Sequence, residues 1–130
     1  FSANANGQGA AVGALQRRKA DGTDMFEPLA EFDEAQKLFF PRALDLRTPN
    51  ELYFLTLYGT GIRLRNTGLP VVAQIGGTEV EVLYAGNQQE FIGLDQVNLQ
   101  LTTALVGRGT LELRLQIDGQ WTNTLLVSFQ

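Results

Sequence analysis

The feature that most constrains the fold is a run near the end of the chain in which apolar and polar residues alternate one by one. In residues 111–117, leucine or isoleucine stands at every second position, and glutamate, arginine and glutamine stand between them. Because successive side chains of a β-strand point to opposite faces, this run predicts a strand with one buried and one solvated face. Asp118-Gly119 then predicts a tight hairpin turn, after which residues 121–129 return alongside the first strand.

The same period of two recurs along most of the sequence. Residues 97–101 alternate in the same way, and Gly76-Gly77 predicts a second tight hairpin. No stretch of helical length carries apolar residues at the spacing of an α-helix, and turn signals recur about every ten residues. This pattern is typical of an all-β, antiparallel sandwich or barrel, and the polar alternate face favours a β-sandwich of about seven to nine strands.

The first half of the chain is less regular, but it still reads as short strands. Residues 24–29 predict one strand. The polar residues 33–36 lie between two apolar pieces and predict a hairpin, with one or two helical turns over 31–38 as the alternative. Pro41 and Pro49 limit backbone pairing, so the segment between them is expected at the edge of a sheet.

Two strands carry predictions about which side chains are buried. Residues 51–59 are almost continuously apolar or aromatic, which predicts a central strand that is covered on both faces or has one face against a partner. The strand that follows the glycine turn is expected to place three side chains on one face: Val80, Val82 and Tyr84.

Composition excludes several classes of protein. The 130 residues are enough for one domain, and the net charge of -4 argues against a nucleic-acid partner. The basic run from Arg17 to Lys19 is followed closely by Asp21 and Asp24, so we expect a solvated strand end there. The chain has no cysteine and no histidine, which removes disulfides, thiolate metal sites and the commonest general base. No apolar run approaches the ~20 residues of a membrane span.

The residues needed for catalysis are missing or poorly placed. Ser2 and Ser128 are the only serines, and no histidine is present to activate either one. Glu79 and Glu81 share one face of a predicted strand, and paired carboxylates can hydrolyse glycosides, but a flat solvated face provides no cleft. The glycine pairs at 59–61 and 107–109 precede no helix, so they are not phosphate-binding loops. We therefore predict a protein that is not an enzyme and has no cofactor.

The sequence offers one weak arrangement for a metal ion. Glu90 and Asp95 flank a glycine-containing bend and could contribute two carboxylates to a calcium site. Calcium takes six to eight oxygen ligands, however, and these are usually dense in sequence. Asp95 is better explained as an acceptor for backbone N–H groups where a strand begins, so no metal site is predicted.

Residues 1–16 form an uncharged segment of small and polar residues with three glycines, and we separate them from a β-sandwich domain at 17–130. The segment is either a leader or the first strand of the sandwich, and it could also be donated to a neighbouring subunit. The residues of this predicted assembly segment are Ala10, Ala11, Val12, Ala14 and Leu15. The chain begins with Phe1 rather than methionine, so we expect a processed product or a piece of a longer protein.

Several motifs together resemble one family. These are LYGTGIR at 57–63, IGGTEVEVLYAG at 75–86, FIGLDQVNLQL at 91–101 and LVGRGTLELRLQIDGQWTNTLLVSF at 105–129, with FSANANGQG and KADGT nearer the start. They resemble the uncharacterised C-terminal module of large exported proteins of acidobacteria. The resemblance implies an immunoglobulin-like sandwich in an extracellular or cell-surface setting, and it implies no activity. Other modules usually precede this one in the family, whereas this sequence begins near the start of the family's own pattern.

Two functions follow as expectations. The first is a non-catalytic structural or adhesive module that contacts copies of itself or neighbouring modules of a longer precursor, and that builds a filament by strand addition. The alternative is a carbohydrate-binding module for polysaccharide. Its aromatic platform would use Trp121, Tyr53 and Tyr58, together with Tyr84, although such residues more often fill core or rim positions.

Overall fold

The computed structural model describes residues 9–59, 69–89 and 94–130, and these residues are built almost entirely from β-strands. The strands are Gly13–Arg18 (β1), Asp24–Pro28 (β2), Ala30–Asp33 (β3), Leu38–Pro41 (β4), Ala43–Leu44 (β5), Leu52–Gly59 (β6), Val72–Ile75 (β7), Thr78–Asn87 (β8), Asp95–Leu101 (β9), Gly109–Ile117 (β10), Gln120–Trp121 (β11) and Leu125–Phe129 (β12). A single 3₁₀ turn at Thr103–Leu105 is the helical element of this part of the chain.

Ten of the strands form one sheet that curls into a half-barrel. Its order is β2-β1-β6-β9-β8-β7-β10-β12-β5, with β11 paired to β10. β8 belongs to both parts of the curl, because residues 78–80 pair with β7 and residues 81–87 pair with β9. We call β2, β1, β6, β9 and the end of β8 the first half-sheet, and the start of β8 with β7, β10, β12 and β5 the second half-sheet.

The core lies inside the curl and is made by the alternating strands. Inward positions are buried and outward positions are half-exposed or exposed, as expected for strands that pack on one face. Each large apolar side chain buried in this way contributes about 1.5–3 kcal/mol of transfer free energy. The largest fully buried side chains are Leu15, Leu29, Leu44, Leu46, Leu55, Leu57, Ile75, Leu99, Leu113, Leu115 and Phe129.

The predicted all-β, antiparallel class is confirmed, but the strand count and the arrangement differ from the prediction. Twelve strands occur in the described residues instead of about seven to nine, because proline and glycine divide several runs into short pieces. β5 and β11 are each only two residues long. The two half-sheets are also continuous through β8 rather than being separate layers.

Most of the local predictions are confirmed. Residues 33–36 turn between β3 and β4 as a hairpin, not as a helix. The segment between Pro41 and Pro49 contains β5, which pairs in parallel with β12 at one edge of the sheet. β6 is a central strand between β1 and β9, although its outward face is half-buried rather than covered.

The predicted face of β8 is wrong beyond Val82. The pairing with β9 shifts between Val82 and Tyr84, because one extra residue forms a β-bulge there. Val80 and Val82 pack against the core, and Ala85 takes the next inward position. Tyr84 is therefore turned outward, where its hydroxyl donates a hydrogen bond to the carbonyl of Asn87 at 2.6 Å.

The start of the described chain closes the curl. Ala10 forms a parallel bridge to Leu126 of the second half-sheet, and the chain then enters the first half-sheet as β1. β1 continues to Arg18, beyond the predicted boundary at residue 16, and it lies between β2 and β6 of its own subunit. The first strand is thus part of the fold in which it is described.

No helix among the described residues has the length and apolar character to cross a membrane.

Candidate functional site

The hairpin of β3 and β4 forms a two-stranded sheet separate from the main curl, and we call it the arm. Its turn is set by Asp33, whose carboxylate accepts hydrogen bonds from the backbone N–H groups of Ala35 at 2.8 Å and Gln36 at 3.2 Å. Lys37 completes the turn with a positive φ of 57°. A two-stranded hairpin is only marginally stable in water unless it packs on something, so its exposed side chains are informative.

The arm presents apolar side chains on both of its faces. Phe32 and Phe39 lie opposite each other, with ring centroids 5.1 Å apart. Phe40 and Leu38 point to the other face, because they are neighbours of Phe39 in the same strand. The four side chains are between 39% and 49% exposed. Both faces of the arm are therefore only partly covered by the described part of the chain.

The adjacent edge strand extends this apolar surface. In the described residues β2 pairs only with β1, and it ends the order of the sheet. Its Met25 and Phe26 are 46% and 65% exposed. With about 200 Å² for each large side chain, these two and the four of the arm expose about 570 Å² in all, divided between the two faces of the arm and of β2.

The base of the arm is tied to the start of the chain. The backbone N–H of Leu29 donates to the carbonyl of Gly13 at 3.3 Å, and that of Arg42 donates to the carbonyl of Leu29 at 2.9 Å. An apolar depression of about 200 Å³ lies between them, lined by Ala11, Val12, Gly13, Pro28, Ala30 and Phe39. The predicted assembly segment and the arm therefore share one continuous surface.

Two of the three carboxylates on the arm are paired with cations within the arm and its flank. Glu31 lies 3.6 Å from Arg42, and Glu34 lies 3.6 Å from Lys37. These are exposed pairs of small energetic value, but they leave the aromatic positions without a strong net field. The chemistry of the surface is therefore that of apolar contact.

A buried ionic cluster lies where β1, β2 and β6 meet. Arg17 contacts Glu27 at 3.3 Å and Glu51 at 3.4 Å, and it donates to the carbonyl of Asp45 at 2.9 Å. Its guanidinium also lies 5.1 Å from the centroid of the Tyr53 ring. Burial acts to lower the pKa of Arg17, but the charges of Glu27 and Glu51 outweigh it and the pKa is raised. The prediction of a solvated strand end is wrong for Arg17, which is 8% exposed.

The loop after β5 contains a second ion pair, on the surface. Arg47 donates to the carboxylate of Asp45 at 2.8 and 3.1 Å. These side-chain hydrogen bonds lower the pKa of Asp45 to about 2. This pair orients the loop in which the carbonyl of Asp45 accepts a hydrogen bond from the Arg17 guanidinium. The Asp45–Arg47 pair and the Arg17 cluster therefore support each other.

The predicted sugar platform is not brought together. Tyr53 is buried in the core, and its hydroxyl exchanges hydrogen bonds with the N–H and carbonyl of Thr48, both at 3.1 Å. Tyr58 lies on the opposite, outward face of β6. Trp121 is 40% exposed on the other half-sheet, where the Arg114 guanidinium lies 4.0 Å from its ring centroid. The three rings therefore point into three different environments.

The residues considered for metal binding do not form a cluster that the structure describes. Asp95 begins β9 and is buried, whereas Glu90 lies outside the described residues. Within 9–59, 69–89 and 94–130, no group of three acidic side chains is positioned to hold a metal ion.

The predicted assembly segment is packed into its own subunit. Ala10, Ala11 and Leu15 are fully buried, Ala14 is half-buried and Val12 is 38% exposed. Sequence reasoning predicted the hairpin of the arm but did not identify its exposed aromatic surface. The sequence does concentrate phenylalanine around a predicted hairpin that ends at a proline. No alternation of polar and apolar residues in this region accounts for those rings.

Comparison with known proteins assigns no family: no protein-family model, curated protein or solved structure matches the chain.

Proposed function

We propose that this chain is a non-catalytic structural or adhesive module that associates with copies of itself through the arm and the neighbouring edge strand β2. The observation that carries the proposal is the arm itself, a two-stranded hairpin with aromatic side chains exposed on both faces. A monomer gains nothing from leaving these rings in water, whereas burial in an interface recovers their transfer free energy.

The size of the surface supports a specific contact. About 570 Å² of apolar side chain is available over the two faces of the arm and of β2, and a standard interface buries about 800 Å² on each partner, including polar rim. The arm and β2 would therefore supply the apolar centre of such an interface. Glu31 and Glu34 of the arm are already paired with cations, which favours an apolar partner surface over a charged one.

A second copy of the chain is the partner that this surface fits. An apolar depression lies at the base of the arm, and exposed rings lie on the arm beside it, so each copy offers both a knob and a hole. Reciprocal insertion of two arms gives a closed dimer, whereas one-way insertion gives an open filament.

Strand addition is the finer form of this proposal. Gly9 accepts a hydrogen bond from the N–H of Leu126 at 2.8 Å, and Ala11 donates to the carbonyl of Leu126 at 3.2 Å. The same bonds form if the segment is exchanged between subunits, so exchange conserves contacts while it links the copies. The start of the chain pairs with one half-sheet and then joins the other, which also supports an immunoglobulin-like sandwich. The family resemblance supports an extracellular or cell-surface setting.

The test is to measure the native mass of the full chain over a dilution series and to image it by negative stain. We expect association that is lost on dilution. Phe40→Ser should shift the midpoint of association at least tenfold to higher concentration, because it removes an exposed ring from the arm.

The matched control is Leu52→Ser, which removes a somewhat more exposed apolar side chain outside the arm. It should leave the association unchanged. A chain that is monomeric at every concentration would sink the proposal, and so would equal weakening by both substitutions. Deletion of residues 1–11, which removes both backbone bonds to Leu126, tests the strand-addition form separately, since filaments that persist without these residues would exclude it.

A further inference from the structure

The outward face of the first half-sheet differs in chemistry from the outward face of the second. On the second half-sheet the exposed outward residues include Glu79, Glu112 and Arg114, which is the pattern of a solvated surface. On the first half-sheet the central outward positions are uncharged except for Glu81, which lies opposite Gln100. Apart from Thr56, the uncharged positions are the aromatic and amide residues Phe54, Tyr58, Tyr84, Gln96, Asn98 and Gln100.

Strand pairing places these aromatic and amide side chains next to one another. Phe54 lies opposite Gln100, and Tyr58 lies opposite Gln96. Asn98 is the direct neighbour of Tyr84 on the other side. Gln96 also donates a hydrogen bond to the side-chain carbonyl of Asn98 at 2.8 Å, so the amides form a row along β9. Directly paired side chains of a sheet are about 5 Å apart, which is close enough for one ligand to touch both.

A shallow depression of about 210 Å³ lies on this face, lined by Gln16, Arg18, Phe54, Leu83 and Asn98. Leu83 reaches the outward face at the bulge in β8 that displaces Tyr84. The charge of Arg18 is balanced by Asp24, to which its Nε donates at 2.9 Å. The depression is smaller than the ~300 Å³ of an ordinary small-molecule site, so it fits part of a longer ligand.

The chemistry of these groups selects a neutral, hydroxyl-rich ligand. Amide side chains both donate and accept hydrogen bonds, as hydroxyl groups do. Aromatic rings and Leu83 offer apolar contact for the C–H faces of a sugar ring, and the Arg18 guanidinium already lies 5.7 Å from the centroid of the Phe54 ring. The chain carries a net charge of -4, and an acidic polymer would be repelled by that charge.

We infer that the outward face of the first half-sheet binds a neutral polysaccharide. One sugar ring occupies the depression beside Phe54, and the following rings cross the amide row of β9 toward Tyr84. This face lies apart from the arm, although Phe26 of β2 stands on it opposite Gln16. The inference is therefore tested apart from self-association with a variant of the arm. A variant that loses association, such as Phe40→Ser, retains this binding.

The experiment is affinity electrophoresis of the full chain in native gels that contain galactomannan or hydroxyethylcellulose, with polygalacturonate as the acidic comparison. We expect retardation by at least one neutral polymer and none by polygalacturonate. Asn98→Asp keeps the size of the side chain but adds a charge to the row, and it should weaken retardation at least tenfold. Gln74→Glu makes a similar change on the other half-sheet and should have no effect.

Tyr84→Ala is a second variant, for use if the melting temperature shows that Asn98→Asp does not fold. The fluorescence of Trp121 should not respond to the polymer, because this tryptophan lies on the other half-sheet. Four results would overturn the inference: no retardation by either neutral polymer, stronger retardation by polygalacturonate, unchanged binding in the folded variants, or a polymer-dependent change in tryptophan emission.

Discussion

At the scale of single residues, Arg17 shows how one buried charge joins several parts of the chain. It belongs to a basic run that the sequence predicts to be solvated. Because it is the neighbour of exposed Arg18 in β1, its side chain points inward. There it is bound to Glu27 of β2 and to Glu51 before β6. The second carboxylate oxygen of Glu51 is buried without a hydrogen-bond partner, so Glu51 depends on Arg17 for its stability.

Arg17→Ala should destabilise the protein by about 3–5 kcal/mol, because it leaves the Glu51 carboxylate buried and unpaired. Equilibrium urea unfolding of both proteins measures the difference. Arg17→Met combined with Glu51→Leu removes both charges while it keeps apolar volume. This double variant should recover most of the loss, and a double variant as unstable as Arg17→Ala would show that packing, not charge, is what Arg17 supplies.

At the scale of elements, the crossing between the two half-sheets depends on a single glycine. Gly13 lies at the start of β1, directly against the backbone of β6, and its N-terminal neighbours pair with β12 instead. A Cβ at this position would overlap the backbone carbonyl of Thr56, which cannot move without breaking β6. The close approach of two strands at the crossing therefore requires glycine.

Gly13→Ala should destabilise the fold by about 1–3 kcal/mol, the usual cost of forcing extra atoms into a packed site. Thermal unfolding followed by circular dichroism measures it. Gly22→Ala is the control: it has a positive φ of 87° but open space around it, so it should cost only about 1 kcal/mol. Equal costs at the two sites would mean that backbone conformation, not contact with Thr56, governs Gly13.

At the scale of the whole molecule, the strands at the edges of the curled sheet are held by fewer contacts than the strands at its centre. β6 and β9 have paired strands on both sides and a fully buried inward face. β5 is a two-residue edge strand, and the arm is a separate two-stranded sheet with exposed side chains. Local stability follows burial and pairing, so it should fall from the centre of the sheet toward the arm.

Amide hydrogen exchange should therefore be slowest in β6, β9 and β10 and at least tenfold faster in the arm and β5, when the protein is dilute enough to be monomeric. Mass spectrometry of peptic fragments provides the measurement. At concentrations where copies associate, exchange in the arm should slow while exchange in β5 stays the same. Uniform protection across the dilute protein would contradict this gradient.

The sequence by itself determined the class of the fold and much of its local structure. A period of two marks Leu113 and Leu115 as inward, and Gly76-Gly77 and Asp118-Gly119 mark turns. These features depend on neighbours in the chain, since the alternation of a strand and the positive φ of a turn are local properties. The same reasoning also found the edge position of β5 and the central position of β6.

Only the tertiary structure decided which surfaces are left open. One extra residue in β8 turned Tyr84 outward, and the inward register of β6 buried Tyr53, so the predicted aromatic platform did not form. The apolar surface of the arm is recognisable only in the folded structure, where Phe32 and Phe40 remain 44% and 43% exposed. Exposure is a property of the whole packed molecule, because it depends on what every other strand covers, and no local pattern of residues contains that information.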